Sequence, residues 1–173
     1  MTIFTESITD TVVLTPSVVN TSTIDKRTVA SVAEGDSYML NRLDASAWTS
    51  ATAAKKLTAL IDATLRIEQL NYRGTKAVAT QQFQMPRDDD TVIPVEYKYA
   101  CIELAYSLLD GVDAQIEYEN MSMASHTYGN VKTVYDTTFP PEHIAAGIPS
   151  VLAWRFLKPF LRDWTTIDLR RVN

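Results

Sequence analysis

Several residue types that usually mark a functional site are scarce in this chain of 173 residues. It has one cysteine, Cys101, so no internal disulfide can form, and a reducing compartment is favoured. Its two histidines, His126 and His143, are too few for the grouped ligands of a zinc site. No apolar run approaches a membrane span, and the N-terminus lacks the basic start and apolar segment of a signal peptide. We therefore expect no membrane partner, no metal and no other cofactor.

Motifs on which common catalytic sites depend are also missing. The chain has no glycine-rich phosphate loop. Cys101 has apolar neighbours, which do not activate a thiol as a nucleophile. Asp88, Asp89 and Asp90 form the one carboxylate cluster, but consecutive side chains point in different directions, so we interpret them as a solvated loop. These observations predict that the protein is not an enzyme.

The charge balance bears on nucleic-acid binding. The formal net charge of −5 argues against tight, general binding to DNA. Residues 155–173 differ, because they hold five basic and two acidic residues, a net charge of +3. Such a segment can dock on an acidic partner surface, contact phosphate or simply be solvated. All three alternatives stay open.

Hydrophobic periodicity and helix-start signals predict about four helices. A capping box, Ser31 followed by Glu34, begins a short helix, and prolines stand just before two later ones. A polar stripe with helical spacing indicates the longest helix. The predicted helices cover approximately residues 31–42, 49–71, 95–110 and 151–164.

Two extended elements are predicted beside these helices. Gly129-Asn130 is a hairpin signal, so we expect a β-hairpin over about 122–136. Residues 1–30 are rich in Thr, Val and Ser and predict an extended N-terminal arm, with a disordered tail as the alternative. The fold class is thus mainly α: a small helical bundle (about four helices) with one β-hairpin and an extended N-terminal arm. The helical domain covers 31–163, and a C-terminal tail covers 164–173.

The last helix mixes aromatic and basic residues, which permits two interpretations. A stacking surface for single-stranded nucleic acid combines such residues. An amphipathic helix whose aromatics are core and whose charges are solvated explains the same spacing without a ligand, and we favour it. The residues concerned are Trp154, Phe156, Phe160 and Trp164, interleaved with Arg155, Lys158 and Arg162.

The order of several short motifs resembles the head-tail adaptor proteins of tailed phages, also called head-completion or connector proteins. The long predicted helix ends in Tyr72-Arg73-Gly74, followed by Met85-Pro86-Arg87 and then Ile93-Pro94. The helix after Pro94 carries E-L-A and ends in L-L-D-G. Some relatives in that family carry a label likening them to a DnaT-type protein that binds single-stranded DNA. The resemblance covers residues 29 to about 162, and residues 1–28 depart from it.

This resemblance implies a structural virion protein, assembled in the host cytoplasm. It would form a homo-oligomeric ring, expected to be a dodecamer, that joins the portal at the capsid vertex to the tail and extends the DNA channel. Its partners would be the portal protein, neighbouring copies, a tail or nozzle protein, and genomic DNA that passes without specific binding. A single-stranded DNA-binding accessory protein (DnaT-like) is the alternative.

Two sets of interface residues follow from this expectation. The C-terminal tail combines positive charge with alternating apolar residues, so its expected portal contacts are Trp164, Ile167, Leu169, Arg170 and Arg171. The arm and the hairpin can bridge to a neighbour through extended backbone. Their expected contacts with another subunit or the tail are Ile8, Val12, Leu14, His126, Tyr128 and Asn130.

Overall fold

Helices form most of the regular structure in the computed structural model, which describes residues 27–121, 125–129, 131–134 and 141–162. The α-helices of these residues are α1 (Val32–Met39), α2 (Ser46–Ser50), α3 (Ala53–Glu68), α4 (Val95–Leu109), α5 (Ala114–Met121), α6 (Glu142–Ala145) and α7 (Val151–Leu157). A turn of 3-10 helix, Lys158–Phe160, follows α7. The mainly helical class is confirmed. The four-helix bundle is wrong, since the described residues hold seven α-helices.

The long helix predicted over 49–71 is divided into α2 and α3. Ala51 adopts an extended backbone with ψ of 141°, which ends α2. Thr52 then caps α3, because its side chain accepts a hydrogen bond from the backbone N–H of Lys55. A capping residue directly after an extended residue therefore starts a new helix within an uninterrupted helical pattern.

Other helix ends follow local signals. At α1 the Ser31 hydroxyl accepts from the N–H of Glu34, and the Glu34 carboxylate accepts from the N–H of Ser31, so the capping box is confirmed. Pro94 stands directly before α4, and Gly111 follows its last turn with a φ of +85°. α5 is not predicted from the sequence. The Asp113 side chain accepts a backbone hydrogen bond at its start.

The core is centred on α4, against which α3 and α7 pack. Trp48, Tyr97, Leu104 and Leu157 are almost completely buried, and each contributes on the order of 1.5–3 kcal/mol by leaving water. This packing fixes the positions of the faces of α1, α4 and α7 that remain at the surface.

The chain enters the core before α1 begins. Thr28, Val29 and Ala30 are buried, and the N–H of Val29 donates to the Thr64 hydroxyl on α3 at 3.4 Å. The last residues of the predicted arm therefore belong to the core, while residues 1–26 of that arm lie outside the described residues. The predicted tail, 164–173, also lies outside them.

Two short strands, β1 (Ser125–Tyr128) and β2 (Val131–Val134), pair antiparallel, with Ser125 opposite Val134 and Tyr128 opposite Val131. Asn130, between the strands, lies outside the described residues. The interface role expected of this segment stays a prediction. Across the described parts of the chain, no helix is both long and apolar enough to span a membrane.

Candidate functional site

A surface groove of 940 Å³ lies between α1 and α4, with the start of α7 at one rim. Residues between Ser31 and Arg42 line one side and residues between Val95 and Glu103 line the other, at the three- and four-residue spacing of a helix face. Its rim is apolar, since Val95 is 48% exposed and Leu152 is 40% exposed. We call this surface the α1–α4 groove.

A buried carboxylate lies at the floor of the α1–α4 groove. Glu103 is 1% exposed and accepts hydrogen bonds from the Tyr38 hydroxyl, at 2.8 Å, and from the Arg42 guanidinium. The Arg42 guanidinium also lies 4.0 Å from the centre of the Tyr106 ring. Burial and the hydrogen bond to Glu103 raise the pKa of Tyr38. Arg42 and Tyr38 thus satisfy the Glu103 carboxylate in the interior of the protein.

A second ion pair crosses the same groove. The Lys98 ammonium lies 2.6 Å from the Glu34 carboxylate, which also accepts from Ser31. Burial opposes ionisation of Glu34, but the hydrogen bonds from Lys98 and Ser31 outweigh it and hold its pKa below the usual value. The charged groups of the groove therefore neutralise one another in pairs.

The aromatic residues of α7 and its 3-10 turn pack inward. Trp154, Phe156 and Phe160 are half-buried against the core, and the Phe156 ring lies 6.0 Å from the Tyr99 ring on α4. Lys158 is exposed and pairs with Glu142 at 3.2 Å. The amphipathic-helix interpretation is confirmed for Trp154 and Phe156, while Phe160 keeps part of its surface exposed.

Phe160 lies in a short ribbon that carries exposed arginines. The segments 71–73 and 160–162 run antiparallel, with Tyr72 opposite Leu161 and backbone hydrogen bonds of 2.9 and 3.0 Å on either side. Arg73 and Arg162 are exposed. They are diagonal neighbours across this pairing, a relation that puts two side chains on one face of a ribbon. We call Arg73, Phe160 and Arg162 the arginine ribbon.

The loop between α3 and α4 is fastened by Arg87. Its guanidinium donates to the backbone oxygens of Arg73, at 2.7 Å, and Gly74, at 2.6 Å. It also donates to the Gln84 side chain at 2.9 Å and lies 6.0 Å from the Tyr72 ring. The Y-R-G and M-P-R motifs therefore meet in space, and their shared role is structural.

Asp88 fastens the same loop from the next position. Its carboxylate accepts from the N–H of Thr75 at 2.8 Å, and its backbone has a φ of +53°. All three aspartates are exposed, as the solvated-loop interpretation predicts, but Asp88 is in addition held by the backbone of Thr75. We call Arg87 and Asp88, bound to residues 73–75, the loop clamp.

Glu68 joins this loop to the helices. Its carboxylate accepts from the Tyr97 hydroxyl at 2.8 Å and from the N–H of Gln84 at 2.7 Å. Burial raises the pKa of Glu68 even though both hydrogen bonds favour the charged form. Glu68 is thus a half-buried acid that tethers the loop.

The residues considered as ligands do not converge in the described part of the chain. No group of three or more His, Cys, Asp or Glu side chains there could hold a metal ion. Cys101 is buried beside Thr64, and burial raises the pKa of its thiol to about 12. A thiol in this environment is a core residue and not a nucleophile.

Most of the predicted interface residues fall outside the described residues. That is the case for Ile8, Val12, Leu14, Asn130, Trp164, Ile167, Leu169, Arg170 and Arg171. His126 and Tyr128 lie on β1, where His126 is opposite Thr133. Their role at an interface stays a prediction.

The α1–α4 groove is not predicted from the sequence. Its residues have helical spacing on both helices, which is a signal that each helix has an inward face. Only the packing of the two helices shows that Val95 and Leu152 remain open to solvent.

Comparison with known proteins adds one match. Residues 18–172 match the family described as "Putative DnaT-like ssDNA binding protein". The chain belongs to this family. The match to the DnaT-like family includes the groove, the loop clamp and the arginine ribbon. No match was found among curated proteins or among solved structures.

Proposed function

We propose that this chain binds single-stranded DNA through a local surface. The observation that carries the proposal is membership of the DnaT-like family, which extends over residues 18–172. Binding of single strands combines cations that contact phosphates with an aromatic ring on which a base stacks. The proposal therefore needs a place in the fold where both occur together.

The arginine ribbon is the place we assign to this binding. Arg73 and Arg162 are exposed, and Phe160 between them is only half-buried. Residues 163–173, which follow directly, include Arg170 and Arg171. Arg42, Lys56 and Lys98 are less available, because each is paired with a carboxylate. Affinity should be modest and strongly salt-dependent, because the chain carries a net charge of −5.

Oligonucleotide binding at several salt concentrations tests the proposal. The wild type should bind an oligothymidylate, with an affinity that falls steeply as salt rises. The double variant R73A/R162A should lower the slope of log affinity against log salt by about 1.4, since each phosphate contact contributes about 0.7 for single strands. The fold should persist, because both residues use backbone atoms in the ribbon.

Lys55→Ala is the matched control. Lys55 is an exposed cation on the first turn of α3, whereas Arg73 lies beyond the last turn of that helix. Lys55 lies about 20 Å along the helix axis from Glu68, the last residue of α3. Binding should be unchanged in K55A. No binding by the wild type, or equal losses in K55A and R73A, would overturn the proposed site.

A second candidate is the structural ring that joins portal to tail in a virion. The α1–α4 groove favours it, because partly exposed Val95 and Leu152 at a groove rim are typical of a docking surface. An acidic body also suits a channel through which DNA slides without sticking. In this proposal the tail residues Trp164 to Arg171 contact the portal, and the strand pair that includes His126 contacts a neighbour or the tail.

Co-assembly with a purified portal ring distinguishes the two candidates. The structural candidate predicts that the full chain binds the portal ring and that deletion of residues 165–173 abolishes binding. R73A/R162A should leave this assembly intact. Portal binding that survives the deletion would refute the predicted contact, and no portal binding would refute the candidate.

A further inference from the structure

We propose that the α1–α4 groove binds residues 11–15 of a second copy of this chain. Along α4 the groove extends from Val95 to Glu103, which is about 12 Å at the rise of an α-helix. That length holds about four residues of extended chain, enough for Val12 to Leu14. The segment Thr11-Val-Val-Leu-Thr15 consists of residue types that favour an extended backbone or tolerate it, and Pro16 follows it.

The chemistry of the groove fits an uncharged segment with alternating apolar side chains. The floor includes Ile102, which is 1% exposed, and the rings of Tyr38 and Tyr99, which are tilted by 39° with their centres 4.7 Å apart. In an extended segment Val12 and Leu14 share one face and can cover this floor. Residues 11–24 contain no charged residue.

The charges in the groove argue for a protein segment and against DNA as the occupant. Both acids are paired within the protein, Glu34 with Lys98 and Glu103 with Arg42. Binding of a phosphate backbone requires an excess of positive charge. In this groove each of the two cations is paired with one carboxylate, so the paired side chains carry no net positive charge. An uncharged strand leaves both ion pairs intact and covers the apolar rim.

The path of the chain favours a second copy over the arm of the same molecule. The chain reaches α1 from the side of α3, because the N–H of Val29 bonds to Thr64 there. Thr64 contacts Cys101, which is about 100° around α4 from Ile102 in the groove. A neighbour's arm can reach the groove from solvent without first passing from the α3 side of the core.

Sedimentation of the full chain tests whether the groove joins copies. The measured mass of the wild type should exceed the monomer mass of 19.4 kDa and should increase with protein concentration. L152D in the groove and V12D/L14D in the arm should each restore the monomer. L65D is the matched control, since Leu65 is 58% exposed on α3 and should leave assembly unchanged. A wild-type chain that stays monomeric would overturn the proposal, as would equal effects of L65D and L152D.

Disulfide trapping identifies the occupant. When a chain with Leu14→Cys is mixed with a separately tagged chain carrying Val95→Cys, oxidation should link the two tags. Native Cys101 is buried and should not compete. A double variant that forms only an intramolecular link would show that the arm of the same chain fills the groove, and no link would show another occupant. Either result overturns the proposal. The test is independent of DNA binding, since the groove and the arginine ribbon share no residue.

Discussion

The segment between α3 and α4 contains no helix, yet its polar groups bond to the protein, whereas the α1–α4 groove consists of regular helices and leaves apolar side chains exposed. In the loop, Arg87 and Asp88 use their charges on backbone groups of residues 73–75. In the groove, the charges pair with one another and leave the apolar rim uncovered. The irregular loop is therefore held by its own charged side chains, and the regular helices carry the surface at which we propose a partner.

The largest expected effect on stability comes from adding a Cβ at the position that the Asp88 carboxylate of the loop clamp occupies. Gly74 has a φ of +74°, and a Cβ at this position would overlap the Asp88 carboxylate. Gly74→Ala should lower the free energy of unfolding by about 3 kcal/mol, from backbone strain and loss of the Asp88 hydrogen bonds. Urea denaturation at pH 7 measures the change.

Gly111→Ala is the control for backbone strain alone. Gly111 has a φ of +85°, but nothing lies within 4 Å of a Cβ there. This variant should cost only about 1–2 kcal/mol. Equal costs for the two variants would mean that Asp88 contributes nothing to the loop.

The guanidinium of Arg87 should matter for its shape more than for its charge. Arg87→Lys keeps the charge but cannot reach the oxygens of Arg73 and Gly74 together, so we expect a loss of about 2 kcal/mol. Arg66→Lys is the comparison, because Arg66 makes longer contacts to Asp62, of 3.4–3.5 Å, on the surface of α3. Its cost should stay below about 0.5 kcal/mol. Similar costs would argue against a clamp.

The contrast between loop and groove could be predicted from the sequence only in part. The capping box at Ser31 and the proline before α4 are local signals, and both are confirmed. The inward position of Glu103 could not be predicted, because its partner Arg42 is 61 positions away. The Y-R-G and M-P-R motifs indicate a family, but the contact of Arg87 with Gly74 exists only after folding. Of the residues of the arginine ribbon, the mixed aromatic and basic pattern indicates Phe160 and Arg162, but no sequence pattern indicates Arg73 as a DNA contact.

The two regions should respond to pH with opposite signs, beginning with Glu68, the last residue of α3, which tethers the loop. Burial raises its pKa above the usual value of 4.5, so its contribution to stability is fully present below the unfolded pKa and is lost as pH rises through the folded pKa. The stability of the wild type relative to E68Q should therefore decrease from pH 4 toward pH 7. Denaturation midpoints across this range measure it, and a constant difference would contradict it.

Glu34 in the groove should behave in the opposite way. Although burial opposes it, Lys98 and Ser31 lower its pKa, so its contribution is present above the unfolded pKa and is lost as pH falls through the folded pKa. The stability of the wild type relative to E34Q should decrease as pH falls below about 4.5. Glutamine is a suitable replacement, because it can also complete the capping box. A difference that grows on acidification would mean that the ion pair with Lys98 does not govern this side chain.

The smallest effect should come from the ion pair that belongs to neither region. Lys158 and Glu142 are 3.2 Å apart, but their side chains are 66% and 57% exposed. Exposed pairs contribute about 0–1 kcal/mol, since water screens the charges and both side chains lose freedom. Lys158→Ala should change stability by less than about 0.5 kcal/mol, measured by urea denaturation at low and high salt.

Lys158→Ala should also leave oligonucleotide binding unchanged, because this cation lies outside the arginine ribbon. If K158A lost as much DNA affinity as R162A, the binding surface would extend beyond the arginine ribbon to Lys158. The solvated charges of this segment would then contact DNA although its aromatic residues pack inward.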